Sequence, residues 1–226
     1  ILRREPVLMA ACIGNLGIAM ANEGAIFNFF PLYAASLSIS TAVIGSLFSA
    51  RMLSSSAARL PTGAAVGRAT SQRLMVIALA TSMLCMFAIP FARSATSLGL
   101  ILTVEGIAFG MYFTAGNTAI AEHTTQANRG MATGLFVMAG SVGTTLGPIG
   151  LGAAAELWSL ESVFWLTGAV MLAGLVVILY LQAQARRRAR PPADNGGPTT
   201  GLLPPIGQET SGSAGQSPGA SLVMIG

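Results

Sequence analysis

Apolar residues in this chain fall in long blocks, not in one-sided stripes. Six blocks stand out, at about 8–33, 42–65, 74–92, 98–121, 131–155 and 162–183. Each is long enough to cross a bilayer, which takes about 20 mostly apolar residues in a helix. The polar breaks between them are short: ASLSIS, GRATSQR, ARSATS, EHTTQANRG and ELWSLES. Short connections make successive helices antiparallel neighbours. The pattern predicts an all-α membrane protein with six transmembrane helices over residues 1–185. The first block follows Arg3 and Arg4 and contains Ala19 and Ala21 two apart, as a cleaved secretory signal does. Its apolar run continues to Tyr33, so a first spanning helix is the better reading.

Beyond the sixth block the pattern stops. Residues 186–226 begin with the basic cluster RRRAR and continue rich in Pro, Gly and Ser. Such a segment cannot bury enough apolar surface to order itself, so a disordered cytoplasmic tail is expected. The basic cluster would anchor the topology and meet anionic headgroups.

Composition agrees with a membrane location. Hydrophobic residues make up 53% of the 226 and charged residues 9%, against about 25% charged in a soluble domain. All twelve basic residues are arginine. They are scattered at helix ends and not gathered on one face, which argues against nucleic acid as a partner. One histidine and two distant cysteines, Cys12 and Cys85, give no metal ligand set. No cofactor is expected, and the cysteines read as buried thiols.

The arginines orient the bundle. Arg3, Arg4, Arg68, Arg73, Arg129, Arg186, Arg187, Arg188 and Arg190 fall on one side. The other side has Arg93 with Glu156 and Glu161. The positive-inside rule then puts both ends in the cytoplasm, in a multi-pass protein of the plasma (inner) membrane. Two arginines remain, Arg51 and Arg59, both in the second block. Arg59 lies about one turn from the cytoplasmic end and can snorkel to the headgroups. Arg51 cannot.

Ionisable residues inside spanning helices cost roughly 2.5–3.5 kcal/mol on insertion scales and mark functional sites by default. Here they are Glu23 in the first helix, Arg51 in the second and Glu105 in the fourth. At 1.5 Å per residue all three lie within ~3–6 Å of the midplane, on its outer side. Neutral polar residues accompany them: Asn15, Asn22 and Asn28 in the first helix, and Tyr112, Thr114 and Asn117 in the fourth. Helix–helix hydrogen bonds explain any one of these equally well. In the fifth helix Gly130, Gly134, Gly140, Gly143, Gly147, Gly150 and Gly152 provide small-residue spacings for close packing, and Pro148 favours a bend.

Several phrases resemble major facilitator superfamily transporters. GAAVGRATSQR, residues 63–73, is similar to the loop motif after the second helix of each six-helix half, with Gly63, Arg68 and Arg73 matching. Gly67 stands where that motif has an acid, and Thr70 where it has a second glycine. FFPLYAASLSIS resembles the end of a half's first helix. EHTTQANRGMATG resembles the loop before the fifth, and GSVGTTLGPIG its glycine-proline helix. The resemblance covers about residues 1–185. It implies helices seven to twelve of a twelve-helix protein, given the degenerate loop motif, the tail after the sixth helix and a start at Ile1. The amino-terminal half is the alternative.

That resemblance implies secondary transport of a small organic solute by alternating access, with proton-coupled efflux as a variant. Alternating access needs two halves, so a missing amino-terminal half or a second six-helix unit is the expected partner, besides the lipid bilayer and a small-molecule substrate. In such a half the first and fourth helices line the cavity. A Glu23–Arg51–Glu105 cluster is therefore expected at the cavity wall, with the asparagines and Tyr112 as its polar lining. One arginine can hold one carboxylate bidentately. The second, less compensated, would take up a proton, and Glu105→Gln would remove that coupling. A buried ion pair holding the helices in register is the competing reading. The loop with Gly63, Arg68 and Arg73 would act as a cytoplasmic gate, although the glycine at position 67 leaves its latch without an acid. Gly143, Gly147 and Pro148 would serve the contact between halves.

Two other functions compete with this reading, and the sequence argues against the second. A truncated, non-transporting protein or a sensor would look the same. An intramembrane hydrolase would need Ser141 and His123 to meet, and they lie some seven helical turns apart along the sequence. No enzyme activity is expected.

Overall fold

The computed structural model describes residues 6–66 and 71–189. Of the segment 186–226 read as basic cluster and tail, residues 190–226 lie outside the described residues, as do Gly67, Arg68 and Thr70 of the candidate gate. All regular structure among the described residues is helical. The first span consists of three pieces in line: α1 (Pro6–Ala19), a π-helix (Met20–Phe29) and α2 (Phe30–Ser36). The others are α3 (Thr41–Val66), α4 (Ser71–Ala88) with a short 3-10 turn (Ile89–Phe91), α5 (Ala95–His123), α6 (Gln126–Leu157) and α7 (Leu160–Ala189).

The helices outrun the apolar blocks at their ends, and on α5 a polar cap sets the start. Ser94 accepts a hydrogen bond from the Ser97 backbone while the Ser97 hydroxyl returns to the Ser94 backbone, closing a reciprocal cap on α5. α7 continues through Ala189, so Arg186–Arg188 belong to its last turns and do not follow it. Arginine is a good helix former, and a cation suits the carbonyl end of a helix. The chain turns between α2 and α3 at Ser38, whose φ of 62° lies in the left-handed region.

Five of the six spans are apolar enough to cross a membrane on length and composition alone. α3 is not, although its 26 residues are ample in length. Arg51, Arg59 and the serines at 46, 49 and 54–56 lower its hydropathy. Part of this polar set faces the bundle: Arg51, Ser55 and Thr62 are buried, while Ser46, Ser49, Ser56 and Arg59 are exposed along with Leu53 and Leu60.

Lipid tails are as apolar as leucine, so spans associate through close packing and hydrogen bonds, not through the hydrophobic effect. α5 packs mainly on α3 and α4. The first span packs mainly on α6 and α7, and α4 meets α7. These main pairings map onto themselves when the first three spans are exchanged for the last three, although α6 also meets α7 with no matching contact of α3 on α4. Span one corresponds to α5, α3 to α6, and α4 to α7. Such a three-plus-three internal repeat is the organisation of each half of a major facilitator bundle.

Two glycine crossings build these contacts. On α5, a Cβ at Gly106 would lie 2.4 Å from the carbonyl oxygen of Arg51, and one at Gly110 would lie 2.2 Å from that of Ser55. On α6, a Cβ at Gly143 would lie 2.4 Å from the carbonyl oxygen of Leu16, and Gly147 faces Gly24 in the π-helix. Of the other α6 glycines, Gly140 faces Asn15, and Gly130, Gly134 and Gly150 face nothing within 4 Å. The pair Gly106 and Gly110, not Gly130 and Gly134, is therefore the second small-residue seam.

At the outer end, the Tyr33 hydroxyl lies within hydrogen-bond reach of the carbonyl oxygens of Ile89, Pro90 and Ala92, where α4 stops. Arg93 pairs with Glu161 at 3.0 Å on the surface. At the other end Ser71 donates to Glu122 at 2.7 Å and the Arg129 guanidinium donates to Ala121 O. These ties close the polar ends of the bundle.

Candidate functional site

The Gly106 and Gly110 crossing brings α3 and α5 close enough for their ionisable groups to meet. Arg51 Nε donates to Glu105 Oε2 at 2.6 Å, with both residues essentially inaccessible to solvent. Arg51 Nη2 donates to Asn22 Oδ1 at 2.7 Å. Asn22 Nδ2 in turn donates to Glu23 Oε1 at 3.1 Å. The other oxygen of Glu105 accepts from the Ser82 hydroxyl at 3.3 Å. A continuous polar chain thus runs Glu23–Asn22–Arg51–Glu105–Ser82, joining spans one, two, three and four.

Arg51 does not clamp Glu105 bidentately as expected. Arg51 divides its donors between Glu105 and Asn22, because Asn22 Oδ1 takes the nitrogen a second carboxylate oxygen would have claimed. Glu23 reaches Arg51 only through Asn22. It is half-buried and forms no ion pair among the described residues. Arg51 Nη1 is buried without a hydrogen-bond partner. The guanidinium lies 5.7 Å from the Phe27 ring centre and 5.4 Å from that of Phe109. Its charge is thus held between two aromatic rings.

The π-helix places Asn22 and Glu23. An i to i+5 turn is wider than an α-turn and usually appears as a single bulge at functional sites. Here it runs for ten residues. Gly24 and the alanines beside it keep this stretch slim enough to cross α6 at Gly147. Asn28 Nδ2 donates to the Glu23 carbonyl oxygen five residues back. Asn28 is exposed and reinforces the widened turn.

A cavity of about 220 Å³ opens between the first span, α5 and α6. Asn15, Asn22 and Asn117 reach it, with Thr144 on α6, and Phe109, Phe113 and Phe136 supply aromatic wall. Tyr112 does not belong to it. It is fully buried in the core, donates to Ala11 O at 2.9 Å and packs under Gly14. On α5 Tyr112 is turned about 100° from Phe113 and about 140° from Asn117, toward Ala11 and Gly14 of the first span. Thr114 bonds back to Gly110 O and lies outside the cavity. Arg59 is exposed, with its guanidinium 5.4 Å from the Phe113 ring centre, so it leans on α5 as well as reaching outward.

The sequence reading does not single out Ser82, Phe27, Phe109 or Thr144. Ser82 and Thr144 resemble many other hydroxyls in spanning helices. Phe109 and Phe113 carry a readable signal, since they are four apart on the helix that holds Glu105. Gly63 and Arg73 are exposed, and Arg73 makes no ion pair among the described residues. Ser141 bonds to Val137 O, and the His123 ring lies against Ala119 O and Gln72. The two share no contact that would make them a nucleophile and base.

A family model described as Major Facilitator Superfamily matches residues 12–217. The match runs past residue 185, into the segment read as tail. A comparison with the curated proteins finds no match.

Proposed function

The chain belongs to the Major Facilitator Superfamily, and from that premise we propose that it supplies one six-helix half of an alternating-access transporter for a small organic solute. Members of this family are multi-pass membrane transporters, not enzymes. The half reading rests on the six spans and their three-plus-three exchange symmetry, because each half of such a transporter contains one such repeat pair. The second half is a separate six-helix unit or segment. Both termini face the cytoplasm, from the arginine distribution.

One observation carries the mechanism: the polar chain from Glu23 to Ser82 crosses four spans beside the cavity. Glu105 is matched by Arg51, so it serves to hold α3, α4 and α5 together. Glu23 is the carboxylate without a cation, and it is the partly accessible one. It is the proton carrier in this proposal. The groups facing it are Asn22 on its own span and, through Asn22, Arg51 on α3 and Glu105 on α5. Ser82 on α4 completes the set, with Cys85 one turn along. A proton on Glu23 changes what Asn22 must donate to, and hence how Asn22 holds Arg51.

The test is pH-gradient-driven flux in proteoliposomes carrying the chain with its second six-helix unit. Glu23→Gln abolishes the response to the gradient while solute exchange at equal pH continues. A gradient response that survives Glu23→Gln and is lost in a correctly folded Glu105→Gln returns the carrier role to Glu105. Flux indifferent to the gradient in the unaltered protein removes proton coupling altogether.

A further inference from the structure

α3 and α4 leave a gap where the internal repeat calls for a contact. α6 packs on α7, but their counterparts α3 and α4 scarcely touch. A groove of about 520 Å³ separates them, walled by Ala57, Pro61 and Ala65 on α3, Leu74 on α4, and Ile107 and Met111 on α5. Its two hydroxyls are already committed, Ser54 to Arg51 O and Thr103 O, and Thr62 to Ala58 O. No ionisable side chain is among the residues lining it. Water needs two to four polar partners to settle in such a space, so the groove suits a hydrocarbon.

The groove also opens away from the cavity. Ile107 and Met111 stand about 160° round α5 from Phe109 and Phe113, which wall the cavity. A second six-helix unit has to cover the cavity side, so the far side of α5 is left to lipid. The dimensions fit a lipid tail. The α3 lining runs from Ser54, in the middle of that helix, to Ala65 in its last turn. At 1.5 Å per residue this is about 16 Å, close to the ~15 Å of one leaflet of hydrocarbon. A charge marks the end of the groove where α3 stops. Arg73, beside Leu74 in the first turn of α4, is exposed and pairs with no carboxylate among the described residues. Glu122, the acid at this end among those residues, takes its hydrogen bond from Ser71, about 160° round α4 from Arg73.

We infer that this groove holds one acyl chain of an anionic phospholipid, whose headgroup phosphate meets Arg73. The chain supplies the packing that α4 does not give α3, and the arginine selects the headgroup. The inference goes beyond solute transport and needs only the bilayer around the bundle.

The experiment titrates the purified full chain, in neutral detergent, with dioleoyl phosphatidylglycerol and with dioleoyl phosphatidylcholine. Bound lipid is counted by native mass spectrometry, and thermal unfolding is followed alongside. One phosphatidylglycerol is retained, about fivefold more tightly than phosphatidylcholine, the worth of one arginine near an anionic headgroup, and it raises Tm. Ala57→Phe fills the groove and loses both effects. Ala64→Phe, at an exposed position outside the groove, keeps them. Arg73→Gln keeps the lipid but brings the two headgroups level. The inference is overturned if no lipid is retained, if phosphatidylcholine binds as tightly, if Ala57→Phe and Ala64→Phe behave alike, or if the preference survives Arg73→Gln. None of these readouts is flux. The transport reading fails separately, if the assembled transporter moves no solute in proteoliposomes.

Discussion

Arg51 makes three kinds of contact at once, with Glu105, with Asn22 and with two aromatic rings. Removing one member of a buried pair leaves the other charged and unpaired, at a cost of about 3–5 kcal/mol. Arg51→Ala is expected to lose that much in equilibrium unfolding from mixed micelles. Arg51→Met combined with Glu105→Leu recovers most of it, because no charge is left behind. A double variant as unstable as the single one would contradict the account of the pair. Ser38 offers a smaller, opposite test. A non-glycine residue in the left-handed region costs about 1–2 kcal/mol, so Ser38→Gly should raise stability by about 1 kcal/mol in the same measurement. That Glu23, Arg51 and Glu105 share one level of the bundle was legible in the sequence, since rise per residue converts position along each span into height. Which carboxylate Arg51 takes was not, because that depends on the rotation of three helices about their axes.

The element that decides this rotation is the first span. Its π-helical stretch turns Asn22 toward Arg51 and leaves Glu23 beside it, half-open. No residue type announces a π-helix. MANEGAIFNF reads as ordinary helix with a glycine in it. The seams between spans were more legible. Gly143 and Gly147 pack on the first span within this bundle, not on a second half as the sequence reading expected, because their face of α6 is the buried one, and the spacing Gly106-x-x-x-Gly110 is plain in the sequence of α5. Spacing alone does not say which glycines face a neighbour, and Gly130 and Gly134 face none. Gly110→Ala would drive a methyl group into the Ser55 carbonyl and should destabilise by about 1–3 kcal/mol, as overpacking does. Gly134→Ala should stabilise by roughly 0.5–1 kcal/mol, since it removes only backbone freedom. Equal effects of the two in thermal unfolding would count against the seam.

At the scale of the molecule, six spans were legible because long apolar blocks with short polar breaks leave little choice of fold. The exception is instructive. α3 is too polar to pass as a span by composition, yet it is the span that brings Arg51 to Glu105. Its polar side is paid for by α5. The exposed apolar residues of α3 and α6, Leu53 and Leu60 on one and Val142, Leu146 and Ile149 on the other, remain to be covered by lipid or by a second bundle. In the proposed transporter they meet the other half, and the cavity between the first span, α5 and α6 becomes a closed site only then. The most direct measurement is saturable solute flux in proteoliposomes, for the chain reconstituted alone and shown to be monomeric, and for the chain assembled with its second six-helix unit. Flux confined to the assembly is the predicted result; saturable flux through the lone monomer would contradict it.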